Sequence, residues 1–449
     1  MHSAMDDRLR SPYAAHLDTM SQRLEQALDA AGLDAVCVFA GVERFPARDD
    51  VPYPFRIEPY FKAFVPLTDA VGSVLTLMPG RRPRLVYLQH EDFWHAPPKD
   101  PEGFWTDLVD VRIARNDDEV ARLLADMPPR TGAIGEPGAA SERIRFASVD
   151  DPALLHVLDF HRAYKTTYEI ACLERASAIA VRGHRAVASA FSASTSEFEL
   201  HQRYCGAVGQ RESELPYNAI VAADRNAAVL HYQRLERTAP ERAATLLIDA
   251  GAAFLGYGSD ITRTTVRHAA EFEALRDSID AMQQTLCREL RAGVDFVALN
   301  ERAHALLAGV LFEHGLLRCS ADEALEHGVT RTFLPHGLGH LLGLQVHDAG
   351  GRQISPDGEQ RPPPPEHPFL RLTRKVEPGF VVTIEPGVYF IPALLRTMAA
   401  PNRARVDWDA VERLLPYGGI RVEDDVLVAP GGIRNLTREA FAAVQTAGE

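Results

Sequence analysis

Residues 244–266 read ATLLIDAGAAFLGYGSDITRTTV, and the fold is decided by how this stretch is read. Two runs of apolar and β-branched residues flank a loop holding Gly251, Gly256 and Gly258, which is a β-hairpin signal. Asp249 and Asp260 stand equally far from the midpoint of that loop, between Phe254 and Leu255. A hairpin symmetric about this point sets the two carboxylates opposite each other on one face, with Cβ atoms about 4.5–5.5 Å apart. At that spacing they repel unless a cation or a proton lies between them. A solvated face would also accept such a pair, although Leu247, Ile248 and Ile261 surround it.

Three further segments add groups of the same chemistry. Residues 335–348, PHGLGHLLGLQVHD, set His336, His340 and His347 among glycines that let the backbone pass close to a ligand. Imidazole ligates divalent transition metals and carries protons, while a glycine-rich loop with incidental histidines is the plainer reading. The segment is not the HExxH helix of zincins. Residues 380–390, FVVTIEPGVYF, place Glu385 at the end of a β-branched strand, either exposed or facing a partner. Residues 418–428, GGIRVEDDVLV, alternate so that Arg421 and Glu423 share a face, where Arg421 could neutralise Glu423. Taken together, Asp249, Asp260, His340, Glu385 and Glu423 offer four carboxylates and one imidazole, enough charge to balance two divalent cations. Such an oxygen-rich set is harder than a structural zinc site and suits Mn²⁺ first, with Co²⁺, Fe²⁺ or Zn²⁺ as alternatives.

The rest of the chain frames this region. Its 449 residues are 46% hydrophobic and 24% charged, ordinary for a globular protein with a sizeable core. The net charge of −14 leaves no basic footprint for nucleic acid. No apolar stretch is long enough for a spanning helix, and MHSAMDDRLRSPY is not a secretory leader, so a cytoplasmic location is expected. Five scattered cysteines fit reduced thiols better than a disulfide framework. Helix and strand alternate through residues 17–31, 35–39, 73–78, 84–88 and 109–113, which predicts a small N-terminal α/β domain over 1–160. Thr166 and Glu169 form a capping box ahead of a helix to about residue 192. Helical patterns at 196–210, 270–292 and 296–315 then alternate with strand-rich blocks at 245–251, 257–267, 380–390 and 420–429. This predicts an α+β domain over 165–449, with Pro362–Pro365 as an extended loop.

The order D-x10-D, PHGLGH, TIEPG and GGIRVED resembles the pita-bread metallopeptidases, which include prolidases, aminopeptidases P and methionine aminopeptidases. DDVPYPFRIEPYFKAFVPLTD (49–69) and GLQVHDAGG (343–351) bring the chain closer to bacterial Xaa-Pro dipeptidases and the similar organophosphorus acid anhydrolases. The resemblance implies a creatinase/aminopeptidase-like pita-bread catalytic domain behind the α/β domain, and a dinuclear-metal dipeptidase acting on dipeptides with C-terminal proline. It implies that Asp249 binds one metal, that His340 and Glu385 bind the other, and that Asp260 and Glu423 bridge both. A bridging hydroxide would attack the scissile carbonyl, with Glu385 relaying a proton. His231 and His347 match histidines beside the substrate, and His336 lines the site. Arg371 matches the arginine that takes the substrate carboxylate, a task that suits a guanidinium fork; a surface arginine is the plainer alternative. Arg421 matches another family arginine that supports Glu423 and the substrate end, while Tyr217 and Trp94 match pocket aromatics. Trp94 belongs to the N-terminal domain and would serve a neighbouring subunit's site in the homodimer typical of the family. The segment LPYNAIVAAD (215–224) departs from the family's usual order around Tyr217.

Other readings compete with this one. An aminopeptidase P-like enzyme would cleave before proline in longer peptides. A non-catalytic pita-bread module would have lost metal ligands, and all five are present. A two-metal nuclease lacks its basic groove. Side activity on organophosphorus esters or fluorides follows from the resemblance, because a hard hydroxide can attack phosphorus as well as carbon.

Overall fold

The structure is a computed structural model, and it describes residues 2–138, 144–192, 194–241 and 243–446. It divides into two compact units, one of Met1–Cys172 with Ile354–Glu359, the other of Leu173–Gln353 with Gln360–Glu449.

The first unit is built on a six-stranded mixed sheet. Its strands are β1 (Ala35–Phe39), β2 (Val74–Leu77), β3 (Arg84–Leu88), β4 (Asp110–Ala114), β5 (Thr131–Ile134) and β6 (Ser148–Val149), in the order β4-β3-β2-β1-β5-β6. β1 (AVCVF) and β2 (VLTL, with Thr76 its one polar residue) are buried along their whole length, as strands at a sheet centre should be. The first helix runs His2–Ala31, well before the start at residue 17 that the spacing predicts. Leu9 and Tyr13 continue the buried stripe of Leu17, Met20, Leu24 and Leu28, and Gly32 ends it at φ 67°. The capping box forms as read: Thr166 N–H donates to Glu169 at 2.8 Å, and the helix runs Thr167–Ala190.

The second unit carries the candidate site. β7 (Ile220–Ala223), β8 (Thr245–Asp249) and β11 (Thr262–Val266) form one antiparallel sheet in the order β11-β8-β7. β9 (Ala253–Phe254) and β10 (Tyr257–Gly258) extend β8 and β11 as the hairpin tip. β12 (Val381–Ile384), β15 (Asp424–Ala429) and β16 (Gly432–Asn435) form a second sheet, and β13 (Gly387–Tyr389) pairs with β14 (Gly419–Arg421). Helices Glu197–Val208, Ala270–Glu289 and Phe296–Glu313 match the predicted patterns to within a few residues. Among the described residues no helix is long and apolar enough to cross a membrane.

One expectation needs correction. Asp249 is paired with Thr262 and not with Asp260. The tip pairs Phe254 with Tyr257, so the turn residues are Leu255 and Gly256, both at positive φ (49° and 89°). A two-residue turn of that kind matches the strand twist and fixes the register one step later than a midpoint before Leu255. Asp260, two residues before Thr262, still shares the face of Asp249, as its diagonal neighbour.

Candidate metal centre

Three donors converge most tightly. Ligand atoms of Asp260, His340 and Glu423 all lie within 4.8 Å of one another, and all three residues are buried. His340 Nε2 stands 3.4 Å from Asp260 Oδ2 and 3.7 Å from Glu385 Oε1. Its Nδ1 lies 3.0 Å from the Leu341 carbonyl, which can only accept, so the proton sits on Nδ1 and Nε2 faces the carboxylates.

The loop bearing His340 is stitched to β12. His340 N–H donates to Thr383 Oγ1 at 3.1 Å, Thr383 N–H donates to the His340 carbonyl at 3.0 Å, and Glu385 N–H donates to the Leu338 carbonyl at 2.9 Å. Gly339 permits this approach, since a Cβ there would lie 2.0 Å from the Thr383 carbonyl oxygen. Gly339→Ala is therefore expected to push His340 off β12 and cost about 3 kcal/mol or more, read as thermal stability and bound metal.

Asp249 sits apart from that tight group. Tyr217 donates to its Oδ1 at 2.7 Å, and Arg421 Nη2 donates to Oδ2. Arg421 spends its other donors on Thr262 Oγ1 (3.1 Å) and the Tyr389 hydroxyl (2.9 Å). Thr262 in turn donates to Glu423 Oε2 at 2.6 Å. Arg421 thus reaches Glu423 chiefly through Thr262, its own Nε being 3.8 Å away. His336 has both ring nitrogens engaged: Nδ1 with the Gly337 carbonyl at 2.9 Å and Nε2 with the Tyr389 hydroxyl at 2.8 Å. It lies 3.6 Å from Glu385.

The remaining candidates are more open. The His347 ring meets that of His340 edge to face at 4.5 Å between centroids, and the charges of Arg371 and His231 also bear on it. His347, His231 and Arg371 are all exposed. Trp94 is 76% exposed in the first unit, packed against Phe93.

The charges explain what this cluster requires. Burial raises the Glu423 carboxyl well above its usual range, and the charges of Asp260, Glu385 and Asp249 add to this. Burial likewise raises Glu385 to about 7, against the pull of His340 and Arg421. Asp249 is raised by burial, though Arg421 opposes the shift. Burial acts on Asp260 in the same sense, but the hydrogen bond and charge of His340 outweigh it and hold this carboxyl low. For His340, burial works downward and is overcome by Asp260 and Glu385, which lift it to about 9. Burial, reinforced by Arg421, pushes His336 down to about 3. His347, open to solvent at one edge, is brought to about 4 by partial desolvation of the rest of its ring and by the charge of His340. Carboxyls driven toward protonation beside an imidazole driven toward imidazolium are donors short of positive charge. That set fits divalent cations of the oxygen- and nitrogen-preferring kind.

Several supporting residues carry no sequence signal of their own. Thr262, Thr383 and Tyr389 read as ordinary strand residues. Asp425 is buried and accepts the Asp260 N–H at 3.2 Å, and Ser177 donates to it at 3.2 Å. Asp424 is buried among Arg263, Gln283, Asn435 and Arg438. The doubled aspartate after Glu423 in an apolar strand was the available hint.

Two family models match this chain: the Xaa-Pro dipeptidase N-terminal domain over residues 11–160 and metallopeptidase family M24 over residues 171–430. The chain belongs to metallopeptidase family M24. Curated relatives agree with this membership. An Xaa-Pro dipeptidase of Xanthomonas campestris pv. campestris (strain B100) is 46% identical over 433 residues, covering 96% of this chain and 98% of the relative. One from Stenotrophomonas maltophilia (strain K279a) is 44% identical, covering 96% and 97%. Among solved structures, proline aminopeptidase P II from Yersinia pestis matches with a TM-score of 0.68 at 24% identity, covering 95% of this chain and 99% of that one. An Escherichia coli aminopeptidase P variant in complex with substrate gives 0.70 at 23%, covering 97% and 98%. These structures share the fold, so the α/β N-terminal domain and pita-bread catalytic domain expected from the sequence are borne out. The M24 family implies divalent metal ions, and Asp260, His340 and Glu423 are placed to hold one.

Proposed function

We propose that this M24 member is an Xaa-Pro dipeptidase, a metallo-exopeptidase that hydrolyses dipeptides ending in proline. The observation that carries the reading is the buried Asp260–His340–Glu423 cluster in a chain 44–46% identical to Xaa-Pro dipeptidases over nearly its whole length. Asp249, Asp260, His340, Glu385 and Glu423 hold two divalent ions, Mn²⁺ first among them. When bound, such ions supply a Lewis acid for the scissile carbonyl and a nucleophilic water at neutral pH.

The side chains do the rest. Glu385, at the edge of the cluster and 3.7 Å from His340 Nε2, takes and returns the proton that passes from nucleophile to leaving nitrogen. His347 and His231 stand exposed on the side where Arg371 also lies, and they donate hydrogen bonds to the substrate carbonyl. His336 acts by orientation, because both its nitrogens are occupied within the protein. Arg421 fixes Asp249 and, through Thr262, Glu423, while Tyr217 fixes the other oxygen of Asp249.

Arg371 gauges substrate length by pairing with the terminal carboxylate of proline. Arg371→Ala is expected to raise KM for Ala-Pro by about 10–100-fold, the worth of a charge-assisted hydrogen bond, while leaving metal content unchanged. An unaltered KM would assign length selection elsewhere. The proposal extends to two domains near 1–160 and 165–449 and to a cytoplasmic homodimer in which Trp94 serves the neighbouring site. It also includes a side activity on organophosphorus esters. An aminopeptidase P activity is the second reading, and a longer Xaa-Pro-Xaa peptide separates the two.

A further inference from the structure

Apart from the metal centre, a second group of ligating side chains meets on the helix Glu197–Val208 and the turn that follows it. His201 and Cys205 are four residues apart and so share one helical face. Cys205 Sγ lies 3.7 Å from His201 Nε2. Glu212 Oε1 lies 3.7 Å from the same nitrogen. A tetrahedral ion with a thiolate at about 2.3 Å and an imidazole at about 2.0 Å sets those two ligands roughly 3.5 Å apart, so the Cys205–His201 edge is close to the required length, while the His201–Glu212 edge has to shorten to about 3.3–3.5 Å.

The surroundings suit the same chemistry. The His201 side chain is only 1% exposed, whereas that of Glu212 is half exposed at the rim. His201 Nδ1 faces the Gln202 side-chain amide at 3.4 Å. Turned end for end, that amide accepts an Nδ1 proton and leaves the Nε2 lone pair for a cation, the outer support that ligating histidines use. The Cys205–Glu212 edge is longer than 4.8 Å, since Asp260, His340 and Glu423 are the one group among the described residues that closes within that limit. The exposed carboxylate closes the triangle by swinging inward. A thiol, an imidazole and one carboxylate select a borderline or soft ion, in contrast to the oxygen-rich metal centre.

We propose that His201, Cys205 and Glu212 form a second cation site, for Zn²⁺ or an ion of similar softness, separate from the five residues of the metal centre. On binding, Cys205 gives up its thiol proton to solvent and coordinates as thiolate. None of the three residues has a role in the catalytic reading, so basal activity is expected to survive their substitution.

Cd²⁺ is the probe, because thiolate–cadmium charge transfer absorbs in the ultraviolet and carboxylate–imidazole ligation does not. The full-length protein, loaded with Mn²⁺, is titrated with Cd²⁺. The wild type is expected to develop the band with saturation at one equivalent of thiolate-bound ion. Cys205→Ser is expected to abolish it while retaining dipeptidase activity. Glu212→Gln, which leaves the buried residues untouched, is expected to weaken Cd²⁺ binding about tenfold or more, since losing a ligand costs no less than losing an outer-shell partner. A wild type without the band would overturn the site, as would a band that persists in Cys205→Ser. Unchanged affinity in Glu212→Gln would remove Glu212 from it. Should the wild type lack dipeptidase activity yet show the band, the catalytic reading fails and this one stands.

Discussion

Glu385→Gln is expected to lower kcat/KM on Ala-Pro by about 10²–10⁴-fold, the range over which a positioned general acid or base contributes. Glutamine keeps the shape of the side chain and an acceptor oxygen, but it neither holds nor passes a proton. It also removes one negative charge from a cluster in which Glu423 is raised by burial and by Asp260, Glu385 and Asp249, and Asp249 by burial and by Asp260. The variant is therefore expected to be slower but, in its metal-free form, more stable than the metal-free wild type. Steady-state kinetics, metal content and thermal unfolding read these effects separately. Activity within a factor of three of the wild type, with metal retained, would take the proton relay away from Glu385.

Removing the metal is expected to abolish turnover and to make stability fall as pH rises. In the metal-free protein burial lifts Glu385 from 4.5 to about 7. For His340 burial acts downward, but Asp260 and Glu385 overcome it and lift the group from 6.5 to about 9. Both groups bind their proton more tightly in the folded chain than in the unfolded one. Their contribution to stability is complete below the unfolded values and is lost as pH climbs through the folded ones, across roughly 4.5–7 for Glu385 and 6.5–9 for His340. One unit is worth about 1.4 kcal/mol, so the two together amount to several kcal/mol. The metal-free protein should thus unfold roughly 10 °C lower at pH 9 than at pH 5 on this account. Cations replace those protons, so the metal-loaded protein should show a much flatter profile, and the gain in Tm on adding metal should widen with pH. Parallel profiles for the two forms would mean that the cluster does not hold the ions.

Much of this site was legible because its chemistry is local in sequence. Asp249 and Asp260 announce themselves as charges inside an apolar hairpin, and the side-chain alternation of strands puts them on one face even when the register is misjudged. The register itself was not legible. It depends on Leu255 taking a positive φ beside Gly256, and leucine gives no signal for that conformation. The spacing of Arg421 and Glu423 suggests their pairing, which forms at 3.8 Å, but the closer partner of Arg421, Asp249, comes from a different strand and carries no local signal. Thr262, Thr383 and Tyr389 act only through neighbours supplied by the tertiary structure, so nothing in their own segments marks them. The early start of the first helix was legible in principle, since Leu9 and Tyr13 extend the stripe used to place residues 17–31.

The central claim is that this chain is a metal-dependent peptidase restricted to dipeptides ending in proline. Proline release by the metal-stripped protein, with and without Mn²⁺, from Ala-Pro, Leu-Pro and a longer Xaa-Pro-Xaa peptide tests it most directly. The account predicts no turnover without metal, restored cleavage of the two dipeptides with Mn²⁺, and little or no cleavage of the longer peptide. Cleavage of the longer peptide in preference to the dipeptides would contradict the substrate assignment, and no cleavage with any divalent ion in a protein that still binds two would contradict the enzyme itself.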